Sequence, residues 1–432
     1  MVSLFGSDDN LKIAFFWDES FLWGIVAYDA FTNLSLNFNL VTSSDIKSGA
    51  LKGYDILFVP GGWASNKIKS LGDKGKENIQ SFVDGGGSYL GICGGAGLAL
   101  SHKDGLGLVP ITRKPTSERV PSFSGKIGII QEHPKHPIWQ GIPDRTGFYA
   151  WWPGQFSLRK PNSVRVLASY DEPHDGAFVS DIPVRPNIDW DSLERSYGTN
   201  LNPSRIKGEP AVVEAGYGKG KVLLSYLHFE TLGHKQGYKA LLNILDYLSG
   251  KKVRADCTIS TAGNASLTKC SKNADRRLIE MAKHLETAAR DLISFGENNG
   301  LWYWRQPWIL QWRRGVRGIE YCTLFLMLRR LLELLEQNAN HDAVTVSVLA
   351  ELRELALPFF EKARELLSLE KAAMNSGPIS PLKTDNENIR LLREELFANS
   401  KSFGGYFKQI IDRIDEMLLP LLKAVCQHAK AD

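Results

Sequence analysis

Cys93 is the residue whose type and setting best suit nucleophilic chemistry, in the segment GGGSYLGICGGAGLAL at residues 85–100. The short apolar run of residues 88–92 predicts a buried strand, and the alanines and leucines that follow favour a helix. Cys93 then lies at the corner between strand and helix, where neighbouring glycines permit a strained turn. The positive end of the helix favours the reactive thiolate. The alternative is a buried structural cysteine in a glycine-rich turn.

His228 and Glu230 are the partners that such a nucleophile requires, a base and a group that orients the base. They follow the predicted strand of residues 221–227, in the sequence LLSYLHFET. Two residues apart in an extended segment, they share one side, so the carboxylate can hold the imidazole. A lone histidine at a strand end is usually structural, but three segments that end at one edge of a sheet favour a Cys93, His228, Glu230 triad.

Glycine-rich turns supply hydrogen-bond donors for the oxyanion of acyl transfer. The expected donors are backbone N–H groups in the PGG turn of residues 60–62 and the N–H of Gly94, because missing side chains let a substrate carbonyl approach. Glu19 and Trp152 could contribute to a substrate pocket. Alternatively, Glu19 lies in a solvated turn and Trp152 packs at the edge of the sheet. The candidate pocket residues are Gly61, Trp63, Glu19 and Trp152.

Apolar runs alternating with helical patterns predict the elements that position these residues. The runs lie at residues 12–17, 36–41, 55–59 and 88–92. They imply an α/β fold with a doubly wound, mostly parallel sheet, in which ligands bind beyond the carboxyl ends of the strands. Residues 109–181 predict antiparallel strands added to this sheet, and residues 182–208 an irregular insertion.

The chain is too long for one ordinary core, and its pattern changes at a polar segment. We expect an α/β domain at residues 1–250, a linker at 251–273 and an all-α helical bundle of unassigned role at 274–432. Pro358 and Pro420 are expected to kink or break two of its helices. The predicted helices of the bundle span residues 274–295, 308–337, 343–373 and 386–429.

Tryptophans and arginines alternate between Trp302 and Arg317, in LWYWRQPWILQWRRGVRG. Such a segment suits an anionic membrane surface, a nucleic-acid strand or a protein hot spot. The alternative, which we favour, is that the tryptophans pack the bundle onto the first domain while the arginines snorkel. A protein partner for the helical domain and a small amide substrate are expected, and membrane contact is the weaker hypothesis.

Composition and charge exclude several other classes. The chain has 432 residues, of which 43% are hydrophobic and 23% charged, as in a soluble globular protein. A net charge of +4 predicts no nucleic-acid partner. The five cysteines contain no CxxC pair and indicate no zinc site, although Cys257 and Cys270 could pair. With no recognisable secretory segment or long apolar run, we expect a cytoplasmic location.

The motifs PGG, GICGG and His-Phe-Glu, in this order, resemble the class I glutamine amidotransferase-like superfamily. More narrowly, VPGGW, GGSYLGICGGAGLAL, HPIWQGIP and PAVVEAGYGKGKVLLSYLHFE resemble the glutaminase-like N-terminal domain of biotin protein ligases, over roughly residues 10–250. The resemblance implies a flavodoxin-like sheet and Cys93 as nucleophile. It also implies His228 as base, Glu230 as orienting acid, and Gly62 and Gly94 as the lining of the oxyanion hole.

The chain departs from these families in two respects. Gly97 stands where glutaminases of the class typically carry a substrate-holding Gln, and no biotinyl-adenylate loop or ATP-binding motif is found. Biotin transfer is therefore not expected. His133 and His136 have a spacing that could bind metal, but the following HPIWQGIP resembles a structural loop of the family. We expect neither a metal nor a cofactor.

Taken together, the residues predict a cysteine-dependent amidase or amidotransferase-like hydrolase that acts on a small amide through a thioester. The alternative is a non-catalytic ligand-binding or scaffolding protein whose helical bundle recruits a partner. Loss of the substrate-holding Gln at Gly97 motivates this alternative.

Overall fold

The computed structural model describes residues 10–158, 164–252, 276–337, 344–377, 379–380, 384–398 and 402–428. The chain divides into two compact units, Met1–Thr261 and Ala262–Asp432. Cys257 and Cys270 lie outside the described residues, as does most of the predicted linker.

Parallel strands form the centre of the sheet in the first unit. With strands numbered along the chain, they are β1 (Ile13–Phe16), β2 (Phe38–Val41), β3 (Ile56–Val59), β4 (Ser88–Ile92) and β13 (Gly220–Ser225). Their order, β2-β1-β3-β4-β13, is that of flavodoxin-like folds. β1, β3 and β4 are buried at every position, as expected of strands covered on both faces. The predicted doubly wound parallel core is confirmed.

Antiparallel strands extend this sheet beyond β13, as the sequence of residues 109–181 predicts. The extension runs β13-β12-β9-β6-β10-β11, with β7 also paired to β6, and β5 and β8 form a separate small ladder. These strands are β5 (Thr112–Arg113), β6 (Phe123–Gln131), β7 (Gly147–Trp151), β8 (Phe156–Ser157), β9 (Arg165–Pro173), β10 (Phe178–Val179), β11 (Ile182–Pro183) and β12 (Pro210–Tyr217).

In the first unit, α-helices connect or cover the strands. They are α1 (Phe21–Asn33), α2 (Ser43–Lys47), α3 (Ala64–Asp84), α4 (Gly94–Ala99), α5 (Trp190–Tyr197) and α6 (Lys235–Ser249). A capping box between Thr42 and Asp45 starts α2. Within α3 the chain is kinked at Gly72, whose φ is 57°, so this element consists of two helical segments. The insertion predicted to be irregular contains α5.

Helices dominate the second unit, together with a β-hairpin. The elements are α7 (Arg276–Asn298), β14 (Trp302–Gln306), β15 (Ile309–Trp312), α8 (Gly318–Glu336), α9 (Val346–Ser376), α10 (Glu387–Phe397) and α11 (Gly405–His428). None of the described helices combines the length and apolarity needed to cross a membrane.

Three predictions for the helical unit are wrong. The helix predicted at residues 308–337 begins only at Gly318, because residues 302–312 form a hairpin whose Trp302 and Trp308 are buried. The single helix predicted at residues 386–429 is two helices, separated after Ala398, a residue with a left-handed φ of 54°. Pro358 and Pro420 lie inside continuous helices rather than ending them.

A buried ion pair joins α9 to α10. Arg393 and Glu370 are each 1% exposed. Arg393 Nε donates to Glu370 Oε1 at 2.8 Å, and its Nη2 donates to the carbonyl of Gly315 at 2.8 Å. Burial raises the pKa of Glu370 to about 7, although Arg393 opposes that rise. The arginine therefore stabilises a carboxylate that the bundle interior would otherwise disfavour.

Arg393→Leu should lower the free energy of unfolding of the helical unit by about 3–5 kcal/mol, because it leaves Glu370 buried and unpaired. Urea denaturation followed by circular dichroism measures this loss. Arg390→Leu is the matched control on the same helix, since Arg390 bonds Glu387 and Glu394 at the exposed surface, where ion pairs contribute about 0–1 kcal/mol. Equal losses in both variants would contradict the assigned importance of the buried pair.

Candidate active site

Cys93 occupies the corner between β4 and α4. Its φ of 52° and ψ of −105° lie in a region that side chains rarely adopt. The Cys93 N–H donates to the carbonyl of Ser225 at 2.8 Å, and its own carbonyl accepts from the Gly97 N–H at 2.9 Å. The strained conformation is thus held from both sides, from β13 and from the first turn of α4.

The PGG turn after β3 lies directly against this corner. A Cβ atom added to Gly94 would stand 1.9 Å from the carbonyl oxygen of Gly62 and 3.0 Å from its nitrogen. Gly62 has a φ of 112°, and a Cβ there would stand 2.3 Å from the carbonyl oxygen of Glu19. The two glycines therefore touch through their backbones. As the first residue of a helix, Gly94 has an N–H without an intrahelical acceptor.

His228 and Glu230 form a buried pair just beyond the end of β13. His228 Nδ1 lies 2.7 Å from Glu230 Oε1, and the two residues are 1% and 0% exposed. The His228 N–H donates to the Tyr149 carbonyl at 2.8 Å, and Thr231 Oγ1 donates to the His228 carbonyl at 2.9 Å. Both the ring and the backbone of His228 are therefore fixed in position.

Strand register brings the histidine to the cysteine. In the parallel pairing of β4 with β13, Ile92 is opposite Ser225. Cys93, which follows Ile92, is therefore close to the segment that leads from Ser225 to His228. Burial alone would lower the pKa of His228, but Glu230 and Cys93 raise it to about 10. Its Nε2 has no standard hydrogen-bond partner among the described residues.

Trp23 is a site residue that the sequence reasoning missed. Its ring centroid lies 4.6 Å from that of His228, and 6.3 Å from that of Trp152. A Cβ on Gly61 would come within 2.7 Å of Trp23 Cγ, so this glycine makes room for the indole. Nothing in the spacing of α1 distinguishes Trp23 from an ordinary core residue. Trp23 could be identified only from the fold, which brings it between the PGG turn and His228.

The four predicted pocket residues have different surroundings. Trp63 is 36% exposed where α3 begins, and Trp152 is half-buried with a left-handed φ of 49°. Glu19 also has a left-handed φ, of 58°, and its Oε2 accepts from Asn66 Nδ2 at 3.2 Å. Gly61 packs under Trp23 rather than facing open space. Their place in a substrate pocket therefore stays a prediction.

The neighbouring polar residues hold the backbone. Asp18 Oδ2 accepts from the Ser43 N–H at 2.8 Å and so anchors α2 instead of facing Cys93. Lys67, fully buried, donates to the Asp18 carbonyl at 2.9 Å and also to Ser20 Oγ. Lys67 Cε would lie 3.3 Å from a Cβ on Gly62. This lysine therefore ties the turn after β1 to the PGG turn.

His133 and His136 have different surroundings. His133 is exposed, whereas His136 is buried, with Nδ1 accepting from the Ile138 N–H and Nε2 lying 3.4 Å from Glu214 Oε2. Among the residues that the structure describes, no three His, Cys, Asp or Glu side chains gather as a metal site would require. His136 serves as a cap in its loop.

Gly94→Ala should disrupt the corner, because its Cβ would overlap the Gly62 carbonyl. We expect a lower melting temperature and slower alkylation of Cys93 by iodoacetamide. Gly97→Ala is the control within the same helix, since within the described chain a Cβ there meets only Ala64 Cβ at 3.6 Å, an ordinary contact. If both alanines were tolerated equally, the backbone contact would not constrain the site.

Glu230→Gln should lower the pKa of His228, because the carboxylate is its main favourable charge partner. A raised pKa stabilises the fold fully below the unfolded value of about 6.5 and ceases to do so as pH rises through about 10. The stability advantage of the native protein over this variant should therefore be larger at pH 7 than at pH 10. Urea titrations at both pH values measure it; a constant difference would contradict the assignment.

A family model that describes the N-terminal part of biotin protein ligase matches the chain at residues 41–103. These residues include α2, β3, α3, β4, the PGG turn and the Cys93 corner, and they begin at the last residue of β2. No curated protein sequence matches the chain.

Several solved structures share part of the arrangement. A candidate GMP synthase component from Thermoplasma acidophilum matches with 16% identity and a TM-score of 0.36, covering 56% of this chain and 95% of that one. A ThuA-like candidate from Bacteroides uniformis matches with 13% identity and a TM-score of 0.38, covering 58% and 97%. A β-galactosidase from Bacillus circulans matches with 13% identity and a TM-score of 0.34, covering 56% and 31%. Such distant likenesses assign no activity.

The family match extends over a shorter range than the motifs, which run to Glu230. Within residues 41–103, it confirms the predicted resemblance to the N-terminal domain of biotin protein ligases.

Proposed function

We propose that the first unit is a cysteine-dependent amidase, or amidotransferase-like hydrolase, that cleaves a small amide through a thioester. The observation that carries the proposal is the meeting of three separate segments at one sheet edge. The strained Cys93, the buried His228–Glu230 pair and the glycine turn all lie at the carboxyl ends of β4, β13 and β3. Ligands of doubly wound sheets bind at such edges.

In the acylation step, Cys93 Sγ attacks the amide carbonyl carbon and a C–S bond forms. The carbonyl oxygen becomes an oxyanion, for which the N–H groups of Gly62 and Gly94 are the assigned donors. His228, whose raised pKa keeps its ring protonated near neutral pH, gives its proton to the leaving nitrogen as the C–N bond breaks. Ammonia or an amine leaves, and the acyl group remains on sulfur.

In the deacylation step, the now neutral His228 takes a proton from water, which attacks the thioester carbonyl carbon. The C–S bond breaks with sulfur leaving as the thiolate, His228 keeps the proton taken from water, and the acid product releases its own proton to solvent. Glu230 keeps Nδ1 of His228 as the donor throughout, so that Nε2 does the proton transfer. Trp23, packed on the imidazole, covers the ring and limits its access to water.

The substrate pocket differs from that of a glutaminase at Gly97. This residue lies in α4, and among the described residues only Ala64 Cβ approaches the space that its side chain would fill, at 3.6 Å. The space next to Gly97 could accept part of a substrate other than glutamine. The same feature supports the alternative function, in which the crevice binds a ligand without cleaving it, and the two are separated by the following test.

Iodoacetamide should alkylate Cys93 before the other cysteines, as mass spectrometry of the native protein would record. Cys322 is the internal control, because burial raises the pKa of its thiol to about 12. Screening for ammonia release from amide metabolites should then find a substrate whose turnover Cys93→Ala abolishes. Alkylation of Cys93 no faster than that of Cys322 and Cys426 would contradict an activated nucleophile, and reactive Cys93 without any turnover would favour the ligand-binding function.

A further inference from the structure

Two buried phenols in segments near the Cys93 corner have no role in the proposed triad. Tyr226 directly follows Ser225, whose carbonyl accepts from the Cys93 N–H at 2.8 Å, and the Tyr170 N–H donates to the Glu209 carbonyl, two residues before the Ala211 carbonyl that accepts from Tyr226. Tyr170 and Tyr226 are 0% and 2% exposed, and neither hydroxyl has a hydrogen-bond partner among the described residues. Burial raises the pKa of both phenols, and the nearby Cys93 adds to the rise. Both hydroxyls therefore keep their protons and are available as donors.

Packing on several sides fixes Tyr226 in place. It follows β13 directly, two residues before His228, and its N–H donates to the Ala211 carbonyl at 3.0 Å. Its ring packs on Phe156 with centroids 4.4 Å apart. A Cβ on Gly154 would lie 2.3 Å from Tyr226 Cζ, so the absence of a side chain there admits the phenol. The hydroxyl thus lies within a packed wall and lacks an acceptor in the described chain.

Positive charge and further donors surround the phenols. Arg113 and Arg119 both lower the pKa of Tyr226, against the effect of burial. Arg119 Nε is buried and has no hydrogen-bond partner in the described chain. Gln155 is 1% exposed; its Oε1 accepts from the Val120 N–H at 2.9 Å, and its Nε2 has no partner in the same part of the chain.

A carboxylate also faces this region. Glu209 adds to the rise in the pKa of Tyr170 that burial causes. Lys114 Nζ donates to Glu209 Oε1 at 2.8 Å. Lys114 thus offsets the charge of this carboxylate, while the exposed Arg113 and the half-buried Arg119 both lower the pKa of Tyr226. Buried polar groups without partners usually mark a place where a ligand or water completes the hydrogen bonds.

We propose that Tyr170, Tyr226, Gln155 and Arg119, the donor cluster, bind a carboxylate on the acyl part of the substrate. The proposal rests on the proposed function, because it places this carboxylate next to the sulfur that attacks the amide. Within the described chain, every unpaired atom of the donor cluster is an N–H or O–H group, and each can donate to an anionic oxygen. Gln155 and the phenols carry no charge of their own, which favours a compact carboxylate oriented by several donors.

The test is protection of Cys93 from iodoacetamide by unbranched dicarboxylates, from malonate to adipate, in the full-length protein. These acids resemble the product of the proposed hydrolysis, so turnover is not needed for a result. At least one should slow the alkylation of Cys93 in a saturable manner, whereas its matching neutral diamide should not. Tyr226→Phe and Arg119→Met should each raise the concentration for half-protection about tenfold or more, since each removes a donor to a charged group.

Tyr247→Phe is the matched control, because Tyr247 OH donates to Glu214 Oε2 away from the donor cluster. It should leave half-protection unchanged, and Gln155→Glu, which adds a negative charge, should abolish protection. Protection by inorganic phosphate alone would overturn the carboxylate assignment. A selectively alkylated Cys93 that no dicarboxylate protects would also overturn it while leaving the proposed function intact; an unreactive Cys93 would instead refute the proposed function.

Discussion

The backbone contact between Gly62 and Gly94 is the constraint on which the site depends. The carbonyl of Gly62 occupies the space that a Gly94 side chain would need, and Glu19 occupies the space beside Gly62. Three turns, after β1, β3 and β4, therefore meet without side chains between them. Close packing of backbone on backbone leaves little freedom to move, and it fixes where two N–H groups lie relative to the sulfur.

The polar groups near this contact belong to two sets, the His228–Glu230 pair and the buried donors of the donor cluster. On one side, the buried Glu230 raises the pKa of His228 and holds its ring. On the other, Tyr170, Tyr226 and Arg119 present donors without acceptors in the described chain. Buried donors without acceptors suit a molecule that enters with its own negative charge, because that charge would complete the missing hydrogen bonds.

The sequence pattern alone was sufficient to predict those elements whose residues all lie in similar surroundings. The parallel strands are fully buried apolar runs, and the corner at Cys93 is marked by glycines, so both could be predicted from the sequence. The meeting of Cys93, His228 and Glu230 followed because carboxyl ends of parallel strands share an edge. The same approach failed for the hairpin at residues 302–312, because its tryptophans also fit a helical pattern and only packing against α7 and α8 decides between them. Trp23 and the donor cluster could not be predicted either, since they depend on which side chains a folded sheet leaves adjacent.

The arrangement of strands also governs when the site can exist. Cys93 lies at the end of β4, whereas the histidine and carboxylate come after β13, the last described strand of the first unit, and β13 enters the sheet directly beside β4. During synthesis, the cysteine leaves the ribosome long before its partners, and such distant pairings form late in folding. A chain without β13 therefore lacks His228 and Glu230 beside Cys93, and the proposed triad can form only once β13 has been inserted between β4 and β12.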